Sequence, residues 1–290
     1  MSAMTLTSDI CDIITRYIQI PKYELLDWID IKDLNLNTLA INPYSIDFFT
    51  KHQDKIDWYW IVLNPNAIEL IKKNMEKIDW QLLSGNSAAL ELLIENQDKI
   101  DYALLSGNRN PDVIKLLKSN KTKIDWYILC KYTNDIDFII ENKKKIHWQG
   151  LSLNPNAIEF LSKNPKKIDW VGLSKNPNAI ELLSKNPKKI NWGCLSQNPN
   201  AIELLKANQD KIDWSSLSGN SGAIELLKEN QDKIDWYELS GNPNAIELLK
   251  ANQDKINRSK FTINPSIFKQ VYYDDDKKII QKTLEIILTK

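Results

Sequence analysis

Few residues in this chain have the chemistry to make or break covalent bonds. His52 and His147 are the only 2 histidines in 290 residues and lie far apart. His52 stands in a helix-ending column that elsewhere holds Asn, and His147 replaces an Asp that opens a helix, so both read as capping substitutions. Cys11, Cys130 and Cys194 form no close pair, and no Cys or His pair has the short spacing of zinc ligands. With 8 glycines the chain offers no Gly-rich loop to cradle a phosphate. Ser84, Ser106, Ser152, Ser174, Ser196, Ser218 and Ser240 form a column, but no base recurs beside it, and it reads as a file of small helix-end residues. The sequence therefore names no catalytic, cofactor-binding or metal-binding residue, and the chain is expected not to be an enzyme.

What it offers instead are surfaces for non-covalent binding, legible only once the period is known. The phrase Ile234-Asp235-Trp236-Tyr237-Glu238-Leu239-Ser240-Gly241-Asn242-Pro243-Asn244-Ala245-Ile246 recurs along the chain. With Trp236 as the anchor, the same place is held by Leu36, Trp58, Trp80, Tyr102 and Trp126, then every 22 residues to Arg258. These are eleven repeats, numbered 1 to 11 below, of 22 residues each except the fourth. There Arg109-Asn110 reads as a two-residue insertion.

Two features then rise above the scaffold. Most repeats carry Asp-Lys in the turn before the anchor, but three consecutive ones carry Lys144-Lys145, Lys166-Lys167 and Lys188-Lys189. Lys+Arg and Asp+Glu are both 38, so the net charge of zero names no partner. Yet residues 141–191 hold ten Lys against four acids, and 201–255 hold six against ten. This basic ridge suits an acidic protein or a nucleic-acid backbone, although it lacks the exposed stacking residues of nucleic-acid-reading repeats. The second feature is the pair of positions after each anchor, which vary while their surroundings stay fixed. Tyr59, Trp60, Tyr127 and Tyr237 in that column are the candidate partner-binding residues, since exposed aromatics make good interface anchors.

Both features must be positioned by the repeat. Each unit predicts two short helices: one opened by Asp235 and running Trp236 to Ser240, the other opened by Asn242-Pro243 and ended by Asn252 in a left-handed cap. The anchor column, the Ile two before it and the Leu three after it are expected to form a core shared between neighbours, because a 22-residue unit cannot shield so many apolar groups alone. The Glu column from Glu69 to Glu247 is an exposed stripe, with Lys72, Lys206, Lys228 and Lys250 placed to form ion pairs. The fold class is therefore all-α, an α-solenoid of ten or eleven repeats. Residues 1–33 are expected as an N-terminal helical cap, 34–272 as the solenoid and 273–290 as a C-terminal capping helix.

Leu6 to Ile18 also resembles an F-box segment, which would make residues 1–30 an adaptor for a ubiquitin ligase. The phrases Asp-Lys-Ile-Asp-Trp and Leu-Ser-x-Asn-Pro-Asn-Ala-Ile-Glu-Leu-Leu, across residues 22 to 257, resemble repeat proteins of large amoeba-infecting DNA viruses of the mimivirus kind. That resemblance implies a viral origin, in the host cytoplasm or the virion, and brings no activity with it. The units are also similar to leucine-rich repeat variant proteins, in which α and 3-10 helices alternate in a right-handed superhelix.

Three scattered cysteines, no signal peptide and no long apolar run point to an intracellular protein outside the membrane. The expected function is a protein-binding scaffold, with polyanion binding through the Lys ridge or ubiquitin-ligase recruitment as alternatives.

Overall fold

The structure, a computed structural model, describes residues 22–271. Each of the eleven anchors opens a short α-helix, from Leu36–Leu39 to Arg258–Thr262. The residue before every anchor is an Asp, Asn or His in extended conformation whose side chain accepts a hydrogen bond from an N–H two or three positions ahead. His147 does this with its ring, as expected of a cap substitute. Ten of the repeats continue through a second helix, such as Ile246–Lys250, to a 3-10 turn or its equivalent before the next anchor. Helices of one or two turns do not stand alone in water. Here the residue three after each anchor is almost wholly buried, from Leu39 to Phe261, and joins one core cluster running the length of the array. The all-α repeat solenoid is therefore present, with 3-10 turns between its α-helices.

Two buried polar columns set the joint between repeats. The Asn six after each anchor accepts at Oδ1 from the N–H two residues on, which starts the second half of its own repeat. Its Nδ2 donates to two carbonyls of the preceding repeat. For Asn198 these are Ser174 O at 3.2 Å and Asn176 O at 2.8 Å, and for Asn242 Ser218 O at 3.0 Å and Asn220 O at 2.9 Å. The serine column adds the second link. Ser174 Oγ donates to Trp170 O one turn back and accepts from the N–H of Asn191 in the next repeat. Thus the small residue at the helix end is a joint residue, with Cys130 in its place in repeat 5.

Three local expectations change. The Asn at the end of the second helix is not left-handed: Asn252 has φ −136° and ψ 52°, and no residue described has positive φ. Its Nδ2 donates to Leu248 O at 3.0 Å, so the side chain satisfies an orphan helix carbonyl without a left-handed backbone. The two extra residues of repeat 4 are Pro111-Asp112 rather than Arg109-Asn110. Asn110 keeps the regular bonds of its column, accepting no displacement: its N–H donates to Asn108 Oδ1 and its Nδ2 to Ser87 O. The Trp anchors are half-buried rather than fully internal.

The ends of the array meet. Asn42 of repeat 1 donates to Thr262 O at 3.4 Å and Asn264 O at 3.0 Å of repeat 11, and the Asn35 N–H donates to Thr262 Oγ1 at 3.2 Å. These are the joint bonds found between most other neighbours, so repeat 11 precedes repeat 1 and the eleven repeats form a closed ring. In place of a second helix in repeat 11 stands strand β2 (Phe268–Val271), paired antiparallel with β1 (Lys22–Leu25). Trp28 packs on Phe261 with ring centroids 5.7 Å apart. The described part of the expected N-terminal cap, 22–33, is thus a strand and a 3-10 turn that seal the seam rather than a helix that shields a free end. The helices expected within 1–21 and 273–290, and most of the F-box-like segment, lie outside the described residues.

Asn198 and Asn200 separate the joint from its surface. Asn198→Ala leaves the Ser174 carbonyl without a donor, takes one of two donors from the Asn176 carbonyl and leaves the Asn200 N–H without its acceptor, and is expected to lower unfolding free energy by about 2–4 kcal/mol. Asn200→Ala removes one exposed bond, to Pro177 O, and is expected to cost less than about 1 kcal/mol. Urea denaturation of both variants checks the difference, and equal losses would contradict the ladder's role.

Candidate functional site

In a closed ring the layer with the tighter spacing between neighbours is the inner one. Anchor helices of successive repeats pack directly on one another, as Trp126–Tyr132 does on Trp148–Leu153, whereas the second helices pack chiefly within their own repeats. The anchor helices therefore form the inner wall. On a one-turn helix the anchor and the residues three and four later face the core, which leaves the first residue after the anchor, and the second except at the buried Gly150 and Gly172, facing the bore. The variable column thus lines the inside of the ring.

Tyr59 and Tyr237 are 52% and 51% exposed, and Trp60 and Tyr127 are half-buried. Tyr59 meets Trp60 edge-on, and Tyr127 meets His147 of the next repeat in the same way. Closure spaces the three tyrosines around the ring at intervals of three, three and five repeats. Counted across the seam, Tyr237 of repeat 10, Tyr59 of repeat 2 and Tyr127 of repeat 5 follow at three-repeat intervals, although Tyr237 is far from the others in sequence. The arc of repeats 6 to 9 carries Gln149-Gly150, Val171-Gly172, Gly193-Cys194 and Ser215-Ser216, with no aromatic residue among them. A cavity of about 590 Å³ lies beside Tyr59, Trp80 and Gln81, and one of about 320 Å³ between Ser215, Ser216 and Glu238. The wall carries little unpaired charge: Glu238, the one acid at these positions, is bound to Lys260 at 3.0 Å.

The lysines divide into two sets. Where the turn before an anchor reads Asp-Lys or Glu-Lys, the lysine usually lies over the anchor ring of the preceding repeat. Lys99 over Trp80 (4.3 Å), Lys233 over Trp214 (4.4 Å) and Lys255 over Trp236 (4.5 Å) are examples. In the basic turns Lys143, Lys144, Lys145, Lys166, Lys167, Lys188 and Lys189 are exposed and have no ion pair or ring contact among the described residues. Part of the reason is local. Phe138 and Phe160 replace the usual Leu and stack on Trp126 and Trp148, both at 5.8 Å, the same rings on which Lys145 and Lys167 would lie by analogy with the other repeats. Nothing comparable displaces Lys189. On the outer stripe Lys72, Lys206 and Lys228 pair with Glu69, Glu203 and Glu225 as expected, but Lys250 has no such pair.

One joint breaks the ladder. Repeat 5 has Tyr132 where the Asn belongs, and Asn154 of the next repeat keeps its regular bond to Cys130 O but reaches Thr133 O in place of Tyr132 O. A cavity of about 300 Å³ opens there beside Arg109, Pro111, Tyr132 and Asp135. Lys131 and Arg109 lie over the Tyr132 ring, and hydrogen bonding from Lys131, with a smaller contribution from Arg109, holds its phenol below the usual range. Burial pushes the Cys130 thiol up, away from the reactive thiolate. The described residues contain no cluster of three or more His, Cys, Asp and Glu able to hold a metal, and no helix long and apolar enough to cross a membrane.

Comparison with known proteins finds no matching family model, no matching curated protein and no matching solved structure.

The inner wall yields one titration. Asp235 accepts from Ser215 Oγ at 2.6 Å, and this bond, with the N–H groups of Glu238 and Tyr237, holds its carboxyl below 3.8. A depressed carboxyl stabilises the fold fully above its unfolded value and loses that contribution as pH falls through the folded value. Ser215→Ala is expected to raise the Asp235 pKa toward 3.8 in a carboxyl-carbon NMR titration. An unmoved pKa would remove Ser215 as the cause.

Proposed function

We propose that this protein is a non-enzymatic ring scaffold whose inner wall holds a segment of a protein partner. The observation that carries the reading is the variable column: it changes from repeat to repeat, it lies on the inner side of the ring, and it holds the exposed aromatics Tyr59 and Tyr237. On a fixed backbone, variation along one exposed file is where a partner is distinguished. A wall with Tyr59, Trp60, Tyr127 and Tyr237 as anchors, and with Asp caps such as Asp57, Asp213 and Asp235 opening its helices, suits a polypeptide better than a phosphate chain. Eleven inner helices at about 8–10 Å spacing enclose an opening of roughly 15–20 Å, wide enough for a helix of about 10–12 Å. The resemblance to giant-virus repeat proteins supports a scaffold that works in the host cytoplasm or the virion. Ubiquitin-ligase recruitment through residues 1–30 rests on the resemblance of Leu6 to Ile18, which lie outside the described residues.

Affinity recovery of the tagged chain, from nuclease-treated extracts of cells that naturally contain it, tests the proposal. A defined protein should be retained, and a Tyr59→Ala, Trp60→Ala, Tyr237→Ala variant with unchanged circular dichroism should lose at least about 10-fold of it. Retention that the triple variant does not alter would contradict binding at the inner wall.

A further inference from the structure

We infer that the turns of repeats 6 to 8 form a second binding surface, one that takes the phosphate backbone of a nucleic-acid duplex without reading its sequence. The inference does not rest on the inner wall. It starts from Lys143 to Lys145, Lys166, Lys167, Lys188 and Lys189, seven exposed lysines clustered in three successive turns with no ion pair or ring contact among the described residues. Neighbouring like charges repel, and elsewhere this fold deals with the same lysine by laying it on an indole or setting an Asp beside it. In repeats 6 to 8 both devices are missing at once. No acid occurs in 143–145, 165–167 or 187–189, and Phe138 and Phe160 stack on the indoles of Trp126 and Trp148. An external anion restores the balance.

The arrangement narrows the kind of anion. Joint after joint repeats the same geometry, so the lysines fall into three clusters at roughly 8–10 Å steps along one arc. That is a periodic row of point charges, suited to a periodic polyanion. A protein interface of useful strength needs a buried aromatic or apolar anchor, and the exposed large apolar side chains (Tyr59, Ile94, Leu104, Val171, Tyr237 and Ile263) all lie outside these turns. A single strand is held by stacking its bases on aromatic side chains; beside the turns Phe138 and Phe160 are already stacked on tryptophans, His147 meets Tyr127 edge-on, and Trp148, Trp170 and Trp192 are half-buried anchors. Lysine is a point charge without the planar fork that reads guanine, and the turns hold no arginine. A duplex keeps its bases stacked internally and presents phosphates, which lysines alone can neutralise.

The test is fluorescence anisotropy of a labelled 24-base-pair DNA duplex titrated with the full chain over a salt series. About six lysines engaged predict a slope of log K against log salt near −5. Replacing Lys144, Lys145, Lys166, Lys167, Lys188 and Lys189 with Gln should cut affinity at least about 100-fold at 0.1 M salt and bring the slope toward zero. The same variant should keep or raise its thermal midpoint, because repulsion is relieved, so lost binding cannot be put down to unfolding. A second duplex of unrelated sequence should bind within about 3-fold of the first. The inference is overturned if the sextuple variant binds as well as the parent. It is also overturned if a single strand of the same length binds at least 10-fold tighter, or if poly-glutamate at equal charge displaces the duplex, the latter marking an acidic protein as the true partner.

Discussion

The structure depends on a buried asparagine amide that must give both its protons away. Each ladder Asn is at most 6% exposed and has no water to turn to. Its Nδ2 finds two carbonyls only if the next backbone lies at one distance and one rotation from its own. That requirement fixes the rise and turn per repeat more tightly than packing of Leu and Ile does, because apolar contacts tolerate sliding while a pair of short hydrogen bonds does not. Summed over eleven repeats, the fixed rotation closes a circle, and Asn42 finds its carbonyls at the far end of the same chain. Where the amide is missing, at Tyr132, a cavity opens and charged side chains collect around it.

Closure also has to select the right two ends. A ladder whose joints are all alike would accept any repeat from a second molecule, giving open head-to-tail assemblies instead of rings. The seam differs from the other joints in the chemistry of one contact. At most joints a lysine three residues before the anchor lies on the preceding aromatic anchor. At the seam that position is Asp33 and the preceding anchor is Arg258, and the two form an ion pair. An Asp would gain nothing on an indole, and an Arg anchor would repel the usual lysine. With β1 pairing to β2 and Lys269 bound to Asp27 at 2.6 Å, the first and last repeats fit each other better than they fit anything else in the array.

Much of this was legible beforehand, and the part that was not has a physical explanation. The period, the helix starts and the buried Leu column follow from side-chain type and spacing, since capping and burial are local demands. The Asn and Ser columns were visible as letters, yet each reads equally well as a local cap; that the same amide also spans the joint depends on the neighbour's backbone, which no spacing reveals. Ring closure is the extreme case. Arg258 and Asp33 look like defects in the repeat when read singly, and become a pair only when the ends are brought together. For the same reason the tyrosines of the variable column were identified one by one, but not their spacing around the ring. The shift of the insertion to Pro111-Asp112 turns on which Asn keeps its bond to Ser87 O, a choice the letters leave open.

The account stands on closure, and the distance between the two strands at the seam tests it. Glu24 and Lys269 are register partners, so their Cα atoms lie about 5 Å apart in the ring. With Cys11, Cys130 and Cys194 changed to Ser, the residue already used at most repeats in the place of Cys130, nitroxide labels at Glu24→Cys and Lys269→Cys report that distance by electron paramagnetic resonance. The ring predicts strong dipolar broadening in the monomer, unchanged on dilution with unlabelled protein. An open array of eleven repeats would separate the labels by roughly 80–100 Å, and a spectrum without broadening would contradict the closed ring and the spacing of tyrosines built upon it.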